Sequence, residues 1–160
     1  MNETQRRTLI YELQMENSIS FTNFQTGRGI EAAYTNPKEG RVKIDLYNDK
    51  GDIILHFNPR FDEREVVISS QIDGKWPYQR GEKPQRVDGY NFKGREDVTV
   101  TFIAKDDYIQ ILLDGKQFHD YKSGLRISSI TTAKFDWSMG SGHGTPAVLK
   151  YLAVKFNLAE

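Results

Sequence analysis

Apolar and polar residues alternate with period two along most of this chain. That pattern limits the fold more than any other feature of the sequence. It runs through "RVKIDLY" (41–47), "DIILHFNPRF" (52–61), "EVVIS" (65–69), "DVTVTFIA" (97–104), "YIQILLDG" (108–115) and "VLKYLAVKF" (148–156). These runs are rich in Val, Ile, Phe and Tyr, which suit a pleated, half-buried surface. Turn formers separate them in "NDKGD", "IDGK", "LDGK" and "GSGHGTP". Asp114-Gly115 between "YIQILL" and "KQFHDY" predicts a tight hairpin, because a type I′ turn needs positive φ at both central positions. Only the first fifteen residues suggest a helix, and "TLIYELQM" reads equally well as a strand. Many short strands at regular spacing predict an all-β antiparallel sandwich. At 160 residues the chain fits one domain spanning 1–160, with residues 1–9 a candidate N-terminal extension.

Composition narrows the function. Twenty-two basic residues balance twenty-two acidic ones, so no net basic charge points to nucleic acid. There are no cysteines, which removes disulfides, thiolate metal sites and cysteine nucleophiles. No run is long and apolar enough for a transmembrane helix, and the N-terminus lacks the apolar core of a signal peptide. The expected location is therefore the cytoplasm, with any secretion by a non-classical route. His56, His119 and His143 are far apart and lack metal-ligand spacing. The adjacent pairs Asp62/Glu63 and Asp106/Asp107 would point to opposite faces of a strand, so they are not preset for acid–base chemistry. No catalytic constellation, metal site or cofactor is expected. His119 reads as structural or exposed, and Trp137, in step with Phe135, reads as core.

One strand stands out. In "LHFNPRF" (55–61), Leu55, Phe57, Pro59 and Phe61 share one face, and His56, Asn58 and Arg60 share the other, about 6–7 Å apart. A wet strand face usually carries Lys, Glu and Thr. An imidazole, an amide and a guanidinium in line are instead a set of planar groups for fixed hydrogen bonds. Pro59, which cannot donate to a ladder, predicts an edge or a bulge. The following "EVVISSQIDGKWPYQRGE" predicts a strand, a turn at Asp73-Gly74 and a second strand entering at Trp76, next to the polar face. An indole beside converging polar groups suits a sugar, whose C–H-rich face packs on the ring while its hydroxyls bond to the planar groups.

These residues resemble the carbohydrate-recognition domain of galectins, whose motif runs H-x-N-x-R, then V-x-N, then W-G-x-E-x-R. "HFNPRF" matches the first part in full, and the spacing places Val67, Ser69 and Trp76 in the second and third. The resemblance covers most of residues 10–157 and implies a jelly-roll β-sandwich lectin. It implies that His56, Asn58 and Arg60 hold the axial 4-hydroxyl of galactose and that Trp76 stacks on the ring. Ser69 and Gln79 stand at the positions that hold the 6-hydroxyl. The implied partners are β-galactoside glycans of glycoproteins or glycolipids. Pairing into a homodimer through edge or terminal strands is open. Four positions depart from the motif: Ser69 for Asn, Pro77 for Gly, Gln79 for Glu and Gly81 for Arg. Arg60 thereby loses the motif carboxylate, which Asp62 or Glu63 could replace; Arg64 or Arg80 could replace the absent arginine. Gly81 would open the floor under a second sugar. Altered glycan specificity, loss of sugar binding in favour of protein contacts, and a coat or capsule role stand as alternatives.

Overall fold

The computed structural model describes residues 17–139 and 145–156. The helix-or-strand question at the N-terminus, His143 and most of "GSGHGTP" lie outside the described residues. Eleven strands follow in chain order: β1 (Ser18–Ser20), β2 (Gly29–Thr35), β3 (Arg41–Asn48), β4 (Ile53–Arg60), β5 (Glu65–Gln71), β6 (Gln85–Val87), β7 (Asp97–Ala104), β8 (Ile109–Leu113), β9 (Lys116–Tyr121), β10 (Ile130–Ser138) and β11 (Val148–Lys155). They form two antiparallel sheets, ordered β1-β10-β3-β4-β5-β6 and β11-β2-β7-β8-β9. All six alternating runs are strands, and the predicted sandwich is the observed architecture.

Alternation sets which face each strand buries. Val42, Ile44 and Leu46 of β3 are fully buried, with Lys43 and Asp45 between them on the other side. Leu55 and Phe57 of β4 point into the same core, where Phe57 meets Phe102 of the opposite sheet edge-on at 5.6 Å. Each such side chain contributes about 1.5–3 kcal/mol when it leaves water. The core polar groups are paired: Tyr34 and Tyr90 share a 2.6 Å hydroxyl bond, and Tyr90 donates to Asn36 Oδ1. Burial pushes the Tyr34 phenol far above its ordinary range. Asp114 and Gly115 adopt φ of 49° and 79°, as the hairpin requires.

Two local expectations need correction. β4 is an interior strand, and Pro59 sits inside its ladder opposite Val66; the irregularities in β4 pairing fall near Ile53–His56 instead. Pro59 is the penultimate residue of β4, so its missing donor falls near the strand end. The chain after Asp73-Gly74 also does not enter a second strand at Trp76. It makes one bridge, Ile72 with Lys75, then a 3₁₀ turn over Pro77–Arg80, and pairs with β5 only at Gln85–Val87. Pro77 explains the change: it lacks an N–H for a ladder but suits the first position of a helical turn.

Candidate functional site

β4 carries His56, Asn58 and Arg60 on the outer face of the six-stranded sheet. In register beside them, β5 places Ser69 opposite His56, and Val67 opposite Asn58. On the other side, β3 places Asp45 opposite His56, and Arg41 opposite Arg60. The 76–84 segment rises beyond β5 as a wall. Together they enclose an open groove of about 470 Å³, lined by His56, Asn58, Arg60, Ser69 and Trp76 among others. His56, Asn58 and Ser69 are largely buried at its floor, so this is a recessed surface and not a wet strand face.

Each polar group of the set is held by a partner outside the groove. Asp45 Oδ1 lies 2.5 Å from His56 Nδ1. A carboxylate only accepts, so Nδ1 carries the proton, and in the neutral form of the ring Nε2 is the acceptor left for the groove. Asn58 Nδ2 donates to the Val42 carbonyl at 2.8 Å. Asn58 Oδ1 accepts from Arg60 Nε at 2.9 Å. Arg60 Nη1 donates to Glu63 Oε2 at 2.9 Å. What remains is one imidazole acceptor beside spare N–H groups of Asn58 and Arg60. A hydroxyl both donates and accepts, and it fits that set.

Glu63, one of the two candidates, is thus the carboxylate on Arg60. Asp62 instead takes Arg41, through Nε at 3.2 Å and Nη2 at 3.0 Å, and that guanidinium holds its carboxyl below the usual aspartate range. Glu63 also lies 3.8 Å from Arg41 and 3.9 Å from Arg86. Neither candidate for the absent arginine lines the groove. Arg64 is exposed, and Arg80 is tied into its own loop by the carbonyls of Ser70 and Lys75 and by the Glu82 carboxylate at 3.2 Å.

Trp76 meets His56 with ring centroids 4.8 Å apart at 62°, and its half-buried indole lines the groove. Gln79 does not line that space: its Oε1 accepts from Trp76 N at 2.8 Å, and its backbone N–H donates to the Trp76 carbonyl at 2.9 Å. Gly81 closes the turn with φ of 70°, a conformation in which a Cβ is strained. Pro77, Gln79 and Gly81, three of the four departures from the motif, are therefore the start, the brace and the stop of one short turn.

Arg41, Lys43, Tyr78, Pro84 and Ser138 also line the groove and were not singled out from the sequence. Arg41 and Lys43 alternate with core residues on β3, a signal that exists, but assigning them to the groove requires the β3–β4 pairing. Trp137 packs on the core edge and donates from Nε1 to the Glu39 carbonyl at 3.1 Å. His119 bonds Gln85 across the two sheets at 2.6 Å.

A second concavity, about 450 Å³, opens at one end of the sandwich near Phe24 and Arg126. Four of its polar groups pair with each other: Thr26 donates to Asp106 at 2.8 Å and Lys122 pairs with Asp107 at 2.9 Å. Among the described residues no three His, Asp or Glu side chains are grouped to hold a metal ion. No helix there is long and apolar enough to cross a membrane.

Comparison with known proteins agrees with this geometry. Residues 14–138 match the family model described as galactoside-binding lectin. A 32 kDa beta-galactoside-binding lectin of Caenorhabditis elegans is 34% identical over 92 residues, 58% of this chain and 31% of that protein. Human galectin-7 is 32% identical over 97 residues, 59% of this chain and 68% of that protein. The chain thus spans about a third of the nematode relative's length. Among solved structures, a tetrameric galectin from the ball sponge Cinachyrella superposes with a TM-score of 0.76 at 25% identity, covering 87% of this chain and 98% of that one. With its two-sheet fold, its H-x-N-x-R strand and a family match over most of its length, this chain belongs to the galactoside-binding lectin family, a family of carbohydrate-binding proteins and not of enzymes.

Proposed function

We propose that this protein binds β-galactosides of the lactose and N-acetyllactosamine type, on glycoproteins or glycolipids, in the groove over β4. The observation that carries this reading is the braced set His56–Asn58–Arg60. Its three partners, Asp45, the Val42 carbonyl and Glu63, leave one acceptor and several donors facing one space. An axial hydroxyl entering there donates to His56 Nε2 and accepts from Asn58 and Arg60. Trp76 beside His56 supplies an apolar wall for the ring's C–H face. An open groove buries little area and its polar groups must first lose water, so affinity at one site is modest. Pairing of two copies would then raise it through avidity. The cysteine-free sequence suits a reducing compartment, so we place the protein in the cytoplasm.

The test is calorimetric titration with lactose, N-acetyllactosamine and chitobiose. Binding of the two galactosides and its fall by at least about tenfold in Arg60→Ala are expected, since a hydrogen bond to a charged group contributes about 1.5–3 kcal/mol. The melting temperature should change little, because the Arg60 side chain is at the surface end of the set. Unchanged galactoside binding in Arg60→Ala would place the site elsewhere. A response to chitobiose alone would favour a second reading, altered glycan specificity, which the departures Ser69, Gln79 and Gly81 support.

A further inference from the structure

Tyr78 is 76% exposed, the most exposed large hydrophobic residue among those described. It lines the same groove as His56, Asn58 and Arg60. The other exposed large hydrophobics lie on or just after β11, in the opposite sheet, and two of them have partners there. Tyr151 donates to Glu31 at 2.6 Å, and Phe156 lies under the Arg28 guanidinium at 5.2 Å. Tyr78 has no hydrogen-bond or ring partner among the described residues. Its place in the groove lining gives this exposed ring a flat apolar face to offer a ligand.

The turn beneath it is rigid. Pro77 is buried and fixes the first φ; Glu82 N bonds the Pro77 carbonyl at 2.8 Å; Gln79 braces Trp76 from both sides. Arg80 clamps the turn to the end of β5 through the carbonyls of Ser70 and Lys75. Successive residues of such a turn point in different directions, so inward Pro77 and bonded Gln79 leave Tyr78 aimed outward. The ring is thus preorganised, and little conformational entropy is lost when a ligand covers it. Pro77 and half-buried Pro84 continue the apolar wall beside it.

We infer that Tyr78 is a specificity-determining contact, whose ring packs on the sugar unit joined to the one that sits on Trp76. This rests on the galactoside reading of the groove. The polar reach at the wall is reduced: position 81 has no side chain, and the Gln79 side-chain oxygen is taken by Trp76 N. The second sugar is therefore held by its C–H face on Tyr78 and the neighbouring prolines more than by its hydroxyls.

The experiment compares wild type, Tyr78→Ala, Tyr78→Phe and Tyr78→Thr. Methyl β-galactopyranoside and N-acetyllactosamine are titrated into each, followed by ¹H–¹⁵N spectra that also report folding. Tyr78→Ala and Tyr78→Thr should weaken N-acetyllactosamine by about five- to tenfold and the monosaccharide by less than about twofold, while Tyr78→Phe stays within about twofold of wild type for both. Equal weakening of both sugars, no weakening of either, or a Tyr78→Phe loss as large as that of Tyr78→Ala would overturn the inference. Failure of wild type to bind either sugar would overturn the galactoside reading, and the inference with it. Monosaccharide binding that persists unchanged while the disaccharide is indifferent to Tyr78 would overturn the inference alone.

Discussion

The floor and the wall of the groove are built by different physics. On β4 the binding groups ride on an interior strand and are fixed by long-range partners: Asp45 and Val42 on β3 for His56 and Asn58. Beyond β5, Trp76 to Gly81 are held mainly by short-range bonds around the four-residue turn Pro77–Arg80, with Arg80 reaching back to the Ser70 carbonyl of β5. A strand-borne set tolerates little change, because its spacing and its partners are set by the sheet. A turn held mostly by short-range bonds can be rewritten as a unit. That is where three of the four departures from the family motif cluster, and they replace one local solution with another that is also complete.

Substitutions can break this contrast. The largest effect is expected at Asp45, the long-range brace. Asp45→Ala frees the His56 ring to change tautomer and rotate. Galactoside affinity should fall about tenfold, by the worth of one oriented hydrogen bond. Imidazole ¹⁵N shifts should move from one tautomer to a mixture, while Asp45→Asn, which keeps an acceptor, should recover most of the binding. An unchanged imidazole spectrum in Asp45→Ala would show that the ring is held by Trp76 packing instead. Gly81 tests the turn. Nothing lies within 4 Å of a Cβ built there, so Gly81→Ala carries only the cost of positive φ, about 1 kcal/mol. Urea unfolding should show that loss. Gly81→Arg, which restores the residue of the family motif, should carry the same penalty; a stable variant would mean that the turn relaxes readily.

The smallest effect concerns pH. The hydrogen bond from Arg41 holds Asp62 below its ordinary 3.8, so the pair's contribution is present above that value and fades as pH falls through the lowered one. Both side chains are more than a third exposed, which keeps the contribution below about 1 kcal/mol. Asp62→Asn should therefore melt slightly lower than wild type at pH 7, and the gap should narrow as pH falls below 3.8 and through the lowered value. A gap that persists in acid would assign Asp62 a role independent of its charge.

The legibility of the molecule follows the same divide. Period two revealed six strands, because a side chain's face depends only on its place in the strand. It missed β2, "GIEAAYT", where buried Ala32 and Ala33 adjoin and blur the alternation; it missed β10 apart from the in-step Phe135 and Trp137; and it missed the three-residue strands β1 and β6, while β9 was read from the Asp-Gly hairpin. His56, Asn58 and Arg60 were readable as a set from their spacing alone. Arg41 and Lys43 carried the same alternation, but nothing local joins β3 to the groove. Gln79 was readable only as a motif position that implied a sugar contact; that its side-chain oxygen also accepts from Trp76 N depends on the turn.

By itself the sequence determined the two-faced strands, the Asp-Gly hairpin and the shared face of His56, Asn58 and Arg60. All three follow from bonds and φ/ψ preferences within a few residues. Only the tertiary structure decided that β4 is interior, that Asp45 holds the His56 tautomer, that Glu63 and not Asp62 serves Arg60, and that Tyr78 stands at the groove's rim. Those depend on which strands pair and in what register, and pairing is settled by the whole core closing at once.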